Sequence, residues 1–171
     1  DRSLEMLKKL QVNERIDDVE KELKSLAKEQ EELKKQLEEN KLSKEEAAKK
    51  QEELNKKFDE LKKDIQEIKE LNKKLDQPIP LQDTKPLEES ISEEMKEAKE
   101  SLEQGKDKKA GENQKSAAEE MNELADQLND NQEAANKKEK EEDINTIRNL
   151  LESLMMLSFN QESLINKFKR T

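Results

Sequence analysis

Apolar residues recur along the first half of the chain at alternating spacings of three and four. This spacing is typical of an α-helix that carries its apolar side chains on one face. Helices with such a seam pack side by side as a coiled coil. The predicted coiled-coil seam comprises Ile16, Val19, Leu23, Leu26, Leu33, Leu37, Leu54, Phe58, Leu61, Ile65, Ile68 and Leu75.

Polar residues interrupt this seam at several positions. They are Gln30, Asn40, Lys44, Gln51 and Asn72. Polar side chains inside a seam fix the register or the partner of a coiled coil at some cost in stability. We therefore expect these positions to specify how the helices align.

The arm formed by residues 1–76 contains one signal for a turn. Ser43 is followed three residues later by Glu46, which is the pattern of a capping box, and Leu42 with Ala47 fits a hydrophobic staple. These residues predict a helical hairpin that turns near 40–43. The unbroken phase of the seam favours the alternative, a single helix along the whole arm. We take the hairpin as the prediction.

Prolines end the arm. Pro78, Pro80 and Pro86 frame a connector at 77–86, and no helix crosses it because proline lacks the amide donor and disfavours helical backbone in the preceding residue. Ile79 and Leu81 alternate with the prolines, a spacing that suits extended backbone lying against a helix.

Residues 87–171 predict a bundle of shorter helices. Gly105 and Gly111 frame a turn between the first two of them. The polar stretch 129–140 predicts a loop, and Asp143 predicts the cap of the last helix. Ser158 with Gln161 forms a second capping box, which would allow a kink there.

The last segment, 144–168, is far more apolar than the rest of the chain, with a seam that begins at Ile144 and Ile147. A face this wide is either the core of the bundle or a docking surface. Because the chain has few other apolar residues, the core is the favoured interpretation. The residues of this partner-binding or core face are Leu150, Leu151, Leu154, Met155, Leu157, Phe159, Leu164, Ile165 and Phe168.

Composition narrows the class of protein. Of 171 residues, 46% are charged and 29% are hydrophobic, with two Gly and three Pro. This is the usage of long exposed helices, so the predicted fold is all-α, an elongated set of hairpins or coiled coils with a small C-terminal bundle. The net charge of -10 and only three aromatic residues predict no nucleic-acid partner, since such a surface repels phosphate and offers little stacking.

The residues give no catalytic constellation. Cysteine and histidine are both absent, which excludes disulfides, thiolate or imidazole metal sites and histidine-based proton transfer. The Gly105–Gly111 spacing does not fit a phosphate-binding loop. We predict a protein that is not an enzyme, with no cofactor, no metal and no small-molecule substrate. No stretch has the apolar length needed to span a membrane.

Three blocks of sequence carry a family resemblance. The first joins FDELKKDI at 58–65 with LNKKLDQP at 71–78 and Asp83-Thr84. The second comprises Lys109-Ala110, Gln114-Lys115, Ala117-Ala118 and Met121, and the third runs from Glu142-Asp143-Ile144 to LSFNQE at 157–162. From Ser43 onward the chain resembles a family of large membrane-anchored envelope proteins, found mainly in Bacteroidetes, to which no biochemical role is assigned.

The resemblance implies a membrane tether elsewhere in a longer chain, of which this sequence is a piece, and a periplasmic setting. It supplies no catalytic or binding residue. The prediction is a structural or scaffolding coiled-coil segment that spaces or oligomerises, with protein partners, either further copies of itself or other helices. The alternative is a module that binds a protein partner through the Leu/Met/Phe-rich face at 150–168.

Overall fold

A computed structural model describes residues 2–168, apart from the side chains at positions 2, 139, 164 and 166–168. Over this range the chain forms four α-helices and no strand, which confirms the all-α prediction. The chain divides into two compact units, Asp1–Gln132 and Glu133–Thr171. The helices are α1 (Arg2–Glu38), α2 (Lys44–Asn72), α3 (Lys85–Glu103) and α4 (Asp107–Phe168), the last of which contributes to both units.

The turn between α1 and α2 lies where the capping box predicts it. Asn40 adopts a positive φ of 52°, and the Lys41 amide donates to the carbonyl oxygen of Gln36 over 2.9 Å, which closes the end of α1 as a Schellman motif. Ser43 Oγ accepts from the Glu46 amide at 3.3 Å, while the Ser43 amide donates to the Glu46 carboxylate at 2.9 Å. The arm is therefore a hairpin of two helices.

The turn between α3 and α4 uses the same motif. Gly105 has a φ of 70°, a value that costs little without a Cβ, and the Lys106 amide donates to the carbonyl oxygen of Ser101 over 2.8 Å. The turn is shorter than predicted, because α4 begins at Asp107. Gly111 accordingly lies inside a helix.

The proline-containing connector is held against the end of α2 by one side chain. The buried amide of Asn72 accepts from the Ile79 N–H at 2.8 Å and donates to the Ile79 carbonyl at 2.7 Å. The Ile79 side chain is itself buried. Asn72 therefore interrupts the seam because its side chain binds the backbone of Ile79, which belongs to no helix or sheet.

Within the first unit each helix runs antiparallel to the one before it, and the start of α4 returns to α1. Ion pairs on the surface mark each of these contacts. They join α1 to α2 (Glu29–Lys57, 2.6 Å), α2 to α3 (Glu52–Lys99, 3.1 Å), α3 to α4 (Glu97–Lys109, 2.9 Å) and α4 to α1 (Asp126–Lys24, 2.9 Å). The arrangement is an antiparallel four-helix bundle.

Glu52 connects α2 to α3 through two lysines. Lys56 lies 2.9 Å and Lys99 3.1 Å from its carboxylate oxygens. Hydrogen bonds from Lys56 and then from Lys99 lower the pKa of Glu52 to about 2. Both ammonium groups therefore favour the charged form of the carboxylate that links α2 to α3.

The core of the first unit contains the whole predicted seam. All of its predicted side chains are 8% exposed or less. Apolar side chains of α3 and α4 complete the core, so the seam pairs within one chain. These additional core residues include Ile91, Met95, Leu102, Ala117, Met121, Leu124 and Leu128.

A layer of buried amides crosses this core. Gln30 of α1 and Gln51 of α2 exchange two hydrogen bonds of 2.6 and 3.0 Å, and Gln114 of α4 donates to Gln51 at 2.9 Å. Gln51 also donates to Asn55 at 3.0 Å, whose own amide donates to the carbonyl oxygen of Met95 in α3 at 3.2 Å. The layer therefore links all four helices of the bundle.

The region after Gly105 differs from the predicted bundle of short helices. The stretch 129–140 is helical, and Asp143 and Ser158 lie inside α4 rather than at a cap or a kink. Glu, Lys, Gln and Ala favour helix, and the stretch has no Gly or Pro to stop it. One continuous helix replaces the predicted break.

Candidate interaction face

The second unit presents apolar side chains to solvent. Every residue from 140 to 163 is exposed. The interpretation of the 150–168 face as the core of a C-terminal bundle is therefore wrong within this chain. The exposed side chains, each between 53% and 68% accessible, are Ile144, Ile147, Leu150, Leu151, Leu154, Met155, Met156, Leu157, Phe159 and Ile165.

The predicted face is exposed wherever its side chains are described. Seven of its residues, from Leu150 to Phe159 together with Ile165, are among the exposed set. The side chains of Leu164 and Phe168 lie outside the described part of the structure. We call the exposed apolar surface at 144–165 the α4 face.

The α4 face has a defined arrangement around the helix. Ile144, Ile147, Leu151 and Leu154 follow one another at spacings of three and four, so they form a seam. Leu150 and Leu157 widen the seam on one side, and Met155 widens it on the other. Charged residues are scarce here: between Ile144 and Ile165 the sequence has only Arg148, Glu152 and Glu162, in a chain that is 46% charged.

Polar groups next to the α4 face bond within their own helix. Thr146 Oγ1 donates to the Glu142 carbonyl oxygen at 2.9 Å, and Ser153 Oγ donates to the Asn149 carbonyl oxygen at 2.8 Å. These hydroxyls have partners already, so the surface available for contact is mainly aliphatic. Exposed apolar patches of this size are uncommon on monomeric proteins.

A second exposed patch lies at the start of α1 in the first unit, and the sequence analysis missed it. Its side chains are 54% to 65% accessible. The sequence contains a signal for this patch, because its residues are apolar but out of phase with the seam that begins further along α1. The residues are Leu4, Met6, Leu7 and Leu10.

The surface of the first unit offers grooves lined by paired charges. A groove of about 470 Å³ lies between α1 and α2. Along it, Lys57 Nζ lies 2.6 Å from Glu29, and Lys50 Nζ donates to Gln36 Oε1 at 3.0 Å. These polar groups satisfy one another rather than converging on a point where a ligand would bind.

Neither a metal site nor a membrane-spanning helix is present among the described residues. No group of three or more acidic side chains is placed to hold a metal ion. None of the helices in this range combines the length and the apolar character needed to cross a bilayer.

Comparison with known proteins gives no relative for this chain. No protein-family model, no curated protein and no solved structure matches it.

Proposed function

We propose that this chain is a non-enzymatic helical module that makes protein–protein contact through the α4 face. The four-helix unit serves as its folded scaffold. The observation that carries the proposal is the set of exposed apolar side chains from Ile144 to Ile165, each more than half accessible. Full burial of a Leu or Ile side chain is worth about 1.5–3 kcal/mol, so covering such a face supplies ample driving force.

Photo-crosslinking tests this proposal. A benzoylphenylalanine at position 154, on the seam, is compared with the same residue at position 149, which is exposed outside the seam. The chain is expressed in cells, irradiated and analysed by mass. We expect a discrete covalent adduct from position 154 and much less from position 149.

A substitution elsewhere on the α4 face strengthens this test, because we expect it to prevent the adduct. Leu151→Glu places a charge one helical turn from the probe, and it should abolish the adduct while leaving far-UV helicity unchanged. Equal yields from positions 154 and 149, or no adduct from either, would contradict the proposal.

A scaffold or spacer in a bacterial envelope is the wider role in which such a module would serve. The paired helices of residues 1–76 support a structural part in a larger protein, since they keep their contacts within the chain. The periplasmic setting rests on the family resemblance and stays a prediction. Fractionation of cells that carry the tagged full-length protein tests it.

A further inference from the structure

The chemistry of the α4 face points to its occupant. We propose that a second copy of this chain covers the face, with the two α4 segments antiparallel and the twofold axis at Met155. This inference rests on the proposed function and names the partner. Its support comes from the exposed area, from the position of the charges beside the seam and from the residues that meet at the axis.

The exposed area suits a dimer. Eight apolar side chains on the seam and its two flanks are each more than half accessible, which gives roughly 800 Å² of surface, and a stable interface takes roughly 800 Å² from each partner. In the antiparallel register, Ile147 of each copy meets Ile165 of the other, while Leu151 and Leu154 meet Gln161 and Ser158. One helix of a second copy therefore covers the seam and its flanks, and Met156 and Phe159 stay on the outer side of α4.

The charges beside the seam are self-complementary in the antiparallel orientation. Arg148, Met155 and Glu162 are spaced by seven, so they share one flank of the seam. In antiparallel coiled coils this flank faces the same flank of the partner. With the axis at Met155, Arg148 of each copy faces Glu162 of the other, and the two methionines meet. On the opposite flank, Leu157 of each copy meets its counterpart close to the axis.

A parallel pair places the charges beside the seam less well. There, Arg148 would face Asp143 of the second copy, and the exposed Glu162 would lie against Leu157. A carboxylate held against an apolar side chain loses hydration without gaining a partner. In the antiparallel pair Arg148 and Glu162 face each other, so neither side chain is held against an apolar one.

Charge reversal in the full 171-residue chain tests both the occupant and its orientation. Association is measured by sedimentation with interference optics, because the chain has no Trp or Tyr. We expect a reversible dimer. Arg148→Glu alone or Glu162→Arg alone should raise the dissociation constant about tenfold, and the double variant R148E/E162R should restore it.

The matched control pairs the residues that a parallel dimer would join. The double variant D143R/R148D should stay as weak as Arg148→Asp alone, because Asp143 does not face Arg148 in the antiparallel pair. Rescue by D143R/R148D, without rescue by R148E/E162R, would overturn the proposal in favour of a parallel dimer. Glu152→Arg lies away from the seam and should leave the dissociation constant within about twofold.

Different results would overturn the second copy as the partner and the proposed function itself. One result overturns the second copy and leaves the proposed function standing: the chain stays monomeric at about 100 μM, while its position-154 probe forms an adduct with a different protein. A monomer that forms no adduct overturns both. Circular dichroism of each variant shows whether helicity is retained, so that a loss of dimer reports on the interface.

Discussion

The side chain of Gln51 shows what a polar residue does inside a helical core. It is fully buried, and its amide joins Gln30, Gln114 and Asn55 through hydrogen bonds of 2.6 to 3.0 Å. Such bonds add about 1 kcal/mol each, whereas leaving a buried partner unpaired costs about 1–3 kcal/mol. The layer therefore penalises any alignment of the helices that separates these amides, which an all-leucine seam would not do.

Replacing Gln51 by leucine should destabilise the bundle. The Gln30 and Gln114 amides lose their partner in a closed core, so the free energy of unfolding should fall by about 2–5 kcal/mol. Urea titration followed by circular dichroism measures it. Gln66→Leu on the exposed surface is the matched control and should change stability by less than about 0.5 kcal/mol. Replacing Gln30, Gln51 and Gln114 together by leucine should regain most of the loss, and a triple variant as unstable as Q51L would contradict this account.

The helices of the bundle are delimited by specific end signals. Asn40 and Gly105 both take a positive φ, and each lies where a backbone amide reaches back five residues to close the helix. Ser43 and Glu46 start α2 by satisfying each other's amides. These few residues convert a seam whose phase is unbroken from Ile16 to Leu75 into two helices that fold back on each other.

Ser43→Ala should weaken this hairpin. The substitution removes the oxygen that accepts from the Glu46 amide, and the loss of an N-cap costs about 0.5–2 kcal/mol. Thermal unfolding of the two proteins should show a lower midpoint for the variant. Ser163→Ala, on the exposed part of α4, is the control and should shift the midpoint little. A variant as stable as the parent would mean that the cap does not limit the stability of the arm.

The two units of the molecule are stabilised in different ways. The first holds the buried side chains of all four helices, from Val12 of α1 to Gln132 of α4. The second consists of helix whose apolar side chains face solvent. Cooperative stability should therefore come from the first unit, while the second carries the exposed apolar surface that we propose as the site of association.

The same truncation of two leucines of α4 should cost very different amounts of stability. Leu124 is fully buried and Leu154 is 61% exposed. Leu124→Ala should cost about 2–5 kcal/mol of unfolding free energy through the cavity it leaves, and Leu154→Ala should cost little. Denaturant titration at a concentration below self-association separates this effect from the stabilisation that dimer formation adds. Similar losses for both would show that Leu154 is buried in the monomer.

The sequence was sufficient to predict the all-α fold, the seam and the first turn, because each rests on local signals. Periodic leucines bury one face, and Ser43 with Glu46 starts a helix wherever they occur. The stretch 129–140 was predicted as a loop because it is polar, yet eight of its twelve residues are Glu, Lys, Gln or Ala, which favour a helix despite their polarity.

The α4 face could not be assigned by pattern alone. An amphipathic helix has the same spacing whether its own chain or another covers it, so Leu154 and Leu23 are indistinguishable in the sequence. Only the arrangement in space shows that Leu23 is buried and Leu154 is exposed. Gln114 is a similar case, since nothing in the sequence indicates that α4 places it beside Gln51.

The antiparallel order of the bundle has a consequence for how fast the chain reaches its native state. Helices α1 to α3 each pack on the next one along the chain, so most contacts close short loops, and proteins dominated by such local contacts fold in microseconds to milliseconds. The return of α4 to α1 is different, because the Gln132 side chain donates to the Asn13 carbonyl oxygen across 119 residues of sequence. Closing the longest loop costs the most chain entropy, so we expect the docking of α4 onto α1 to be the slowest step of folding.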